Sequence, residues 1–357
     1  MRYRIAHIGS FNRNLGDNIA LYNIQKEFNR QLNGIDWVLF DIMDIFWKRN
    51  NNIEFVKNLF SHNKFDAIVV GGGGLIEYEG YGHHDTGYKL PFNKEIIESL
   101  GCPVFFMGLG INYFRGKEGF SDKAKQSLKE TAEGAAYFSL RNDGSLKIFK
   151  DLLNIETNEI PDPGLIYSYE KRDNYYSKYN VIQPAFNSSE GINQNRFLGK
   201  QNIDNLVEYT KNSDMIVMPH TPKDFRYFSN YILDVDSLKD MLKFDYTDEL
   251  VKVYLKFDSI IALRGHGQLI SIGLNIPGLY LSTQDKVRDF SYQNGFENYN
   301  IDIKDENWLN TLESKFIRLQ SDEKYRAEWY IIRKKQIDKW NEQLNHSVNE
   351  CINILTK

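Results

Sequence analysis

The chain has 357 residues, 41% of them hydrophobic, which is enough for two domains that each bury a core. A formal net charge of −4 without a long basic run argues against nucleic acid as a partner. Two cysteines, Cys102 and Cys351, stand outside any CxxC pair, which excludes a disulfide framework and a thiolate zinc site and points to the cytoplasm. The opening MRYRIAHIGS enters a strand without the apolar core of a signal peptide, and no window approaches the ~18 apolar residues of a membrane span.

In the first half, short apolar runs predict strands at Arg4–Ile8, Trp37–Ile42, Ala67–Val70, Val104–Met107 and Tyr137–Leu140. Helical patterns lie between them. Leu21, Ile24, Phe28 and Leu32 recur at helical spacing. Pro91 opens a helix that stops at Gly101, Ser121 caps one through Leu128, and Asp143 caps one through Leu153. Such alternation predicts parallel pairing with right-handed crossovers.

The polar, tyrosine-rich stretch Glu170–Tyr179 reads as a linker. Beyond it the pattern repeats, with strands at Tyr179–Gln183, Met215–Met218, Tyr231–Val235, Ser259–Leu263 and Gly278–Leu281, and a helix over Thr247–Phe257. A long charged helical pattern covers Asp322–Leu355. The expected organisation is α/β: a first Rossmann-like lobe at 1–172, a second at 173–320, and a C-terminal helix at 321–357 that packs on or crosses between the lobes.

Ligands of open parallel sheets bind beyond the carboxyl ends of the strands, so the residues that follow each strand carry the functional information. Here they are Asn14-Leu15-Gly16-Asp17, the glycines Gly71–Gly74 with Gly72 and Gly73 at the centre, Gly108-Leu109-Gly110, Arg141-Asn142-Asp143, Pro219-His220, Arg264-Gly265-His266 and, after the last of these strands, Lys286. Glycines and charged groups recur at every rim, which predicts two rims facing each other across a cleft. Arg264 offers a planar fork for a carboxylate or phosphate, Gly265 permits close backbone approach, and a helix over Gln268–Leu274 turns its N–H groups to the same space. The other reading has Arg264 paired with a local acid and His266 capping a helix. Asp17 fits a base or an N-cap equally well, His220 faces the cleft or the core, and Gly71–Gly74 form a tight turn that makes room for a ligand. His83-His84-Asp85 reads as a surface loop lining the acceptor pocket rather than a metal site, since adjacent histidines on extended chain point to opposite faces.

This ordered set, together with Ser139-Leu140-Arg141 and Asp162-Pro163, resembles the polysaccharide pyruvyl transferase family over residues from about 5 to 290. The resemblance implies a fold of two Rossmann-like lobes, called GT-B. It implies phosphoenolpyruvate as donor and cyclic ketal formation on a sugar diol of a capsule, exopolysaccharide or cell-wall polymer. The family's basic set falls on Arg141, Arg264, His266 and Lys286, which would bind the donor, with His266 as proton donor and Asp17 as base. Asn14, Gly16, Gly72, Gly73 and His220 would line the acceptor side of the cleft. Residues 181–189 match the family's usual start of the second lobe poorly.

The chemistry so implied requires no metal and no cofactor besides phosphoenolpyruvate as co-substrate. The other partner would be a sugar or lipid-linked oligosaccharide, met by peripheral contact with the inner membrane face. Two rival functions share the architecture: a nucleotide-sugar glycosyltransferase, and a catalytically inactive glycan-binding relative. Tyr78–Tyr88 and Tyr113–Gly119 are the loops expected to select the acceptor.

Overall fold

The computed structural model describes residues 2–44, 53–61, 64–77, 86, 88, 90, 92–112, 119–165, 179–185 and 199–357. The first lobe is built on β1 (Tyr3–Gly9), β2 (Ile35–Asp41), β3 (Ala67–Ile76), β4 (Val104–Ile111), β5 (Tyr137–Arg141) and β6 (Asn158–Ile160). They form one sheet in the order β2-β1-β3-β4-β5-β6, parallel throughout. Helices α1 (Leu15–Gln31), α2 (Ile53–Ser61), α3 (Lys94–Ser99), α4 (Asp122–Gly134) and α5 (Ser145–Leu153) alternate with the strands. Apolar residues cover both faces of the sheet, and β4 is buried at every position, which is why its sequence runs apolar without alternation.

The second lobe contains β7 (Tyr179–Gln183), β8 (Ile216–Val217), β9 (Phe257–Ala262), β10 (Gly278–Ser282) and β11 (Asn300–Asp302), again parallel, in the order β11-β10-β9-β7-β8. Its helices are α6 (Lys200–Asn212), α7 (Val235–Met241), α8 (Thr247–Tyr254), α9 (Gly265–Gly273), α10 (Asp285–Gln293) and α11 (Trp308–Ser321).

The final helix, α12 (Glu323–Leu355), starts on an Asp322 cap that accepts from the N–H groups of Lys324 and Tyr325. At about 50 Å it is long enough to serve both lobes. Tyr325, Trp329 and Trp340 belong to the second-lobe core, whereas Leu344, Val348, Cys351 and Ile352 pack with Ile5, Ile24 and Phe28 of the first. The helix therefore crosses between the lobes. Midway, Arg333 donates to the carbonyls of Ile272 and Gly273 at 2.6 and 2.8 Å and so caps the carboxyl end of α9.

Two seams join the lobes beside the cleft. On one side Leu15 N donates to His220 O at 3.3 Å, and Asn18 Nδ2 to Leu242 O at 2.8 Å. On the other, the side chains of Asn142 and Asn294 meet at 3.3 Å.

Several local expectations are corrected. Tyr231–Val235 is not a strand: Tyr231 makes one isolated bridge to Val217, and Asp234 caps α7. The glycines Gly71–Gly74 do not turn. Strand β3 runs through them and pairs Gly71 with Met107 and Gly73 with Leu109. Helix α8 stops at Tyr254 because Phe257 already begins β9. Helix α3 is capped by Asn93, whose side chain accepts from Ile96 N, while Pro91 lies outside the described residues. Gly144, in the left-handed region at φ 88°, and not Asp143, occupies the cap position of α5. The strands β6 and β11 were not anticipated. Each is three residues long and lies at a sheet edge, too short to show a period. The expected boundary near residue 172 falls outside the described residues.

Candidate active site

The carboxyl ends of both sheets open on one cavity of about 290 Å³. Its wall includes Ser10 and Asn14 after β1, Gly73 and Gly74 in β3, Glu77 after β3 and Asn112 after β4. Arg264, Gly265, His266, Gln284 and Lys286 line it from the second lobe. Both sheets reverse strand order here, between β1 and β3 and between β7 and β9, where an open sheet leaves a crevice.

His266 is the residue around which the lobes meet. Helix α9 begins directly after β9, with Arg264 as an extended N-cap that makes no side-chain cap bond. The first-turn N–H groups are thus not satisfied by a cap and suit an anion. A Cβ on Gly265 would meet nothing within 4 Å among the described residues, which leave space in front of this turn. The next residue sends its imidazole out of the second lobe into a slot of the first. A Cβ on Gly16 would come within 2.2 Å of His266 Cβ, and one on Gly164 within 2.8 Å of its Cδ2. In the slot His266 Nδ1 lies 3.2 Å from Asp17 Oδ1. Nε2 faces Asp162 Oδ1 at 3.8 Å and is buried without a hydrogen-bond partner among the described residues.

Arg141 lies beneath this slot, 4% exposed. Its Nε donates to Asp143 at 2.6 Å and its NH1 contacts Asp162 at 2.9 Å. Burial opposes its charge, but Asp143 and Asp162 outweigh that and raise its pKa. Its guanidinium covers Gly110, where a Cβ would stand 2.4 Å away. Arg264 is paired too: Nη2 donates to Asp224 at 2.8 Å and Nε to the Pro184 carbonyl at 3.1 Å, which fixes its fork beside the cavity. Lys286 occupies the first turn of α10, another helix start without a side-chain cap. Its Nζ donates across the cleft to Asn112 Oδ1 at 3.4 Å, and Asn112 Nδ2 is anchored on the Gly74 carbonyl at 2.5 Å. Burial, then the like charge of Arg141, lower the Lys286 pKa to about 8.

A family model for polysaccharide pyruvyl transferase matches residues 14–285. The chain belongs to the polysaccharide pyruvyl transferase family. The matched span takes in Asn14, Asp17, Arg141, Arg264 and His266, and ends one residue before Lys286. No curated protein sequence matches the chain. Among solved structures, UDP-GlcNAc 2-epimerase from Neisseria meningitidis bound to UDP-GlcNAc covers 100% of both chains at 12% identity and a TM-score of 0.52. The S. aureus MnaA–UDP co-structure covers 90% of this chain and 89% of its own at 12% identity and a TM-score of 0.51. A putative UDP-N-acetylglucosamine 2-epimerase from Listeria monocytogenes covers 98% and 94% at 10% identity and a TM-score of 0.50. These similarities establish the fold, two parallel-sheet lobes in the GT-B arrangement, and the chain ends in a helix.

Of the residues singled out in this pyruvyl transferase family member, the fold brings Asn14, Asp17, Gly73, Arg141, Arg264, Gly265, His266 and Lys286 to one cavity wall. It does not bring His220 there. That side chain is fully buried, with Nε2 2.5 Å from the Tyr254 hydroxyl, and burial holds its pKa well below the ordinary value. Gly72, at φ 88°, packs against Leu21 instead of lining the acceptor side, and Gly16 faces His266. Asn14, accepting from Gly16 N, is the N-cap of α1, which leaves Asp17 to His266. His266 does not cap a helix; it sits within the first turn of α9. His83-His84-Asp85, all of Tyr113–Gly119 except Gly119, and all of Tyr78–Tyr88 except Thr86 and Tyr88 lie outside the described residues.

Sequence reasoning gave no site role to Asp143, Asp162, Asn112 or Glu77, all on the cavity wall. Each follows a strand of the first sheet, the same signal that singled out the others. Asp143 was absorbed by its apparent fitness as a cap, and Asp162 stood in a motif without a function.

Proposed function

We propose that this chain transfers the pyruvyl group of phosphoenolpyruvate to two hydroxyls of a sugar, forming a cyclic ketal and releasing phosphate. The observation that carries this is the Asp17–His266 contact at 3.2 Å on the wall that also holds Arg264, Lys286 and the uncapped starts of α9 and α10. An acid–base unit and an anion-binding surface thus share one cavity. That combination suits a donor that carries a carboxylate and a phosphate on a small carbon frame.

In the proposed reaction, Lys286, the Arg264 fork and the two helix starts hold the donor's anionic groups. Arg141, paired with Asp143 and Asp162, holds those carboxylates in place beneath the donor. The imidazole of His266 gives a proton to the methylene carbon, and C2 becomes an oxocarbenium-like centre. One sugar hydroxyl adds to C2 and returns its proton to the Asp17–His266 pair. The C2–O bond to phosphate then breaks, the second hydroxyl closes the ring, and its proton leaves with the phosphate. One hydroxyl proton thus ends on the new methyl group and the other on phosphate. Two lobes that hold donor and diol together convert an encounter of two molecules into an internal reaction.

The acceptor approaches from the first-lobe side, past Asn14, Gly73 and Glu77. We assign the enzyme to the cytoplasm, in keeping with its free cysteines Cys102 and Cys351. It would meet a lipid-linked acceptor from the inner membrane face. Among the described residues no helix is long and apolar enough to cross a membrane.

The test is a calorimetric titration with phosphoenolpyruvate beside UDP and GDP, with Arg264→Ala as control. Saturable binding of phosphoenolpyruvate alone, weakened in the variant, supports the donor. Binding of a nucleotide and not of phosphoenolpyruvate transfers the assignment to glycosyl transfer.

A further inference from the structure

The segment Asp162-Pro163-Gly164 forms one side of the His266 slot and supplies the carboxylate that faces the ring. It is held rigidly. Asp162 N donates to Asn142 Oδ1 at 2.9 Å, Gly164 N donates to Asp162 Oδ1 at 2.7 Å, and Pro163 packs on Gly108, where a Cβ would stand 2.8 Å from the Pro163 ring. Asp162 is 1% exposed and touches basic groups of both lobes: Arg141 NH1 at 2.9 Å from the first, and His266 Nε2 at 3.8 Å from the second. Buried carboxylates are retained where they are paired. Among the described residues Nε2 has no hydrogen-bond partner of its own, and a shift of the ring by under an ångström would give it one, Asp162 Oδ1.

We infer that Asp162 is a positioning residue for the reaction: it holds Arg141 and, through Nε2, orients the His266 imidazole opposite Asp17. The ring is then held at Nε2, which leaves Nδ1, shared with Asp17 on the cavity wall, as the nitrogen that exchanges a proton with the substrate. Asp143 provides the contrast, since it binds Arg141 and Ser145. The catalytic meaning of this role rests on the proposed pyruvyl transfer; the geometric one does not.

The experiment reads the ring directly. Nitrogen-15 NMR of histidine-labelled full-length protein, with the His266 signal assigned from His266→Gln, is compared between wild type, Asp162→Asn, Asp162→Glu and Asp143→Asn. Expected are a displaced His266 Nε2 resonance in Asp162→Asn, an unmoved one in Asp143→Asn, and turnover at saturating phosphoenolpyruvate lowered about tenfold in Asp162→Asn with partial rescue in Asp162→Glu. If Asp162→Asn does not fold, Asp162→Glu decides: a carboxylate one methylene farther out displaces the resonance if the contact exists. An Nε2 resonance unmoved by either substitution in folded protein overturns the inference. Because the resonance is read without ligand, a wild type that fails to bind phosphoenolpyruvate removes the donor assignment and leaves the Asp162 comparison decisive.

Discussion

His266 and Gly16 belong to different lobes, yet the imidazole lies so close over the glycine that a Cβ there would come within 2.2 Å of His266 Cβ. The catalytic histidine of the proposed reaction is thus also one of the close contacts between the lobes. Gly16→Ala must push α9 or α1 away. It is expected to destabilise the protein by about 1–3 kcal/mol in denaturant unfolding and to abolish phosphoenolpyruvate binding. Gly265→Ala, one residue before His266 but facing open space, is expected to change stability by less than about 1 kcal/mol. Equal losses in both variants would contradict the slot.

His266→Gln removes the proton donor while keeping a side chain of similar reach. Turnover is expected to fall by about 10²–10⁴-fold, with donor affinity nearly kept. Near-normal turnover at saturating donor would show that another group supplies the proton.

Lys286 gives a pH dependence with two opposite signs. Its folded-state pKa of about 8 lies below the 10.5 of the free side chain. Between these values the unfolded chain holds a proton that the folded chain has released. Stability from this group is therefore lowest below pH 8 and rises as pH climbs from about 8 toward 10.5. Donor binding needs the charged amine, so affinity is full below about pH 8 and falls above it. Calorimetry and urea unfolding across this range, with Lys286→Met losing both trends, check the pair of slopes. Parallel trends in wild type would exclude Lys286 from the donor site.

Tyr254→Phe strands His220 Nε2 in the second-lobe core, where no water reaches it. A stability loss of about 1–3 kcal/mol is expected, with phosphoenolpyruvate affinity within twofold of wild type. A large loss of affinity would return His220 to the site.

Leu344→Ala, in the last turns of α12, is expected to cost about 2–5 kcal/mol, although it lies far along the chain from the first-lobe core it completes. Unchanged unfolding of the first lobe would mean that the helix end merely rests on it.

Strand–helix alternation, and with it two parallel sheets, was legible in the sequence because each element's period is local and its neighbours are consecutive. The rims were legible for the same reason: whatever follows a strand must stand at its carboxyl end, so Asn14, Arg141, Arg264 and Lys286 could be placed before any fold was known. Tertiary structure alone decided the partners. Asp17 fitted a cap or a base equally well until α9 was docked against α1 and put His266 3.2 Å away. Arg141, expected to bind the donor, gained its acidic partner only when β6 brought Asp162 beside it, and His220 fitted cleft or core until α8 set Tyr254 against its ring. Such contacts act over about 3 Å between segments far apart in the chain, and their geometry follows from how the seams and α12 hold one lobe against the other. No local pattern of residues encodes that distance.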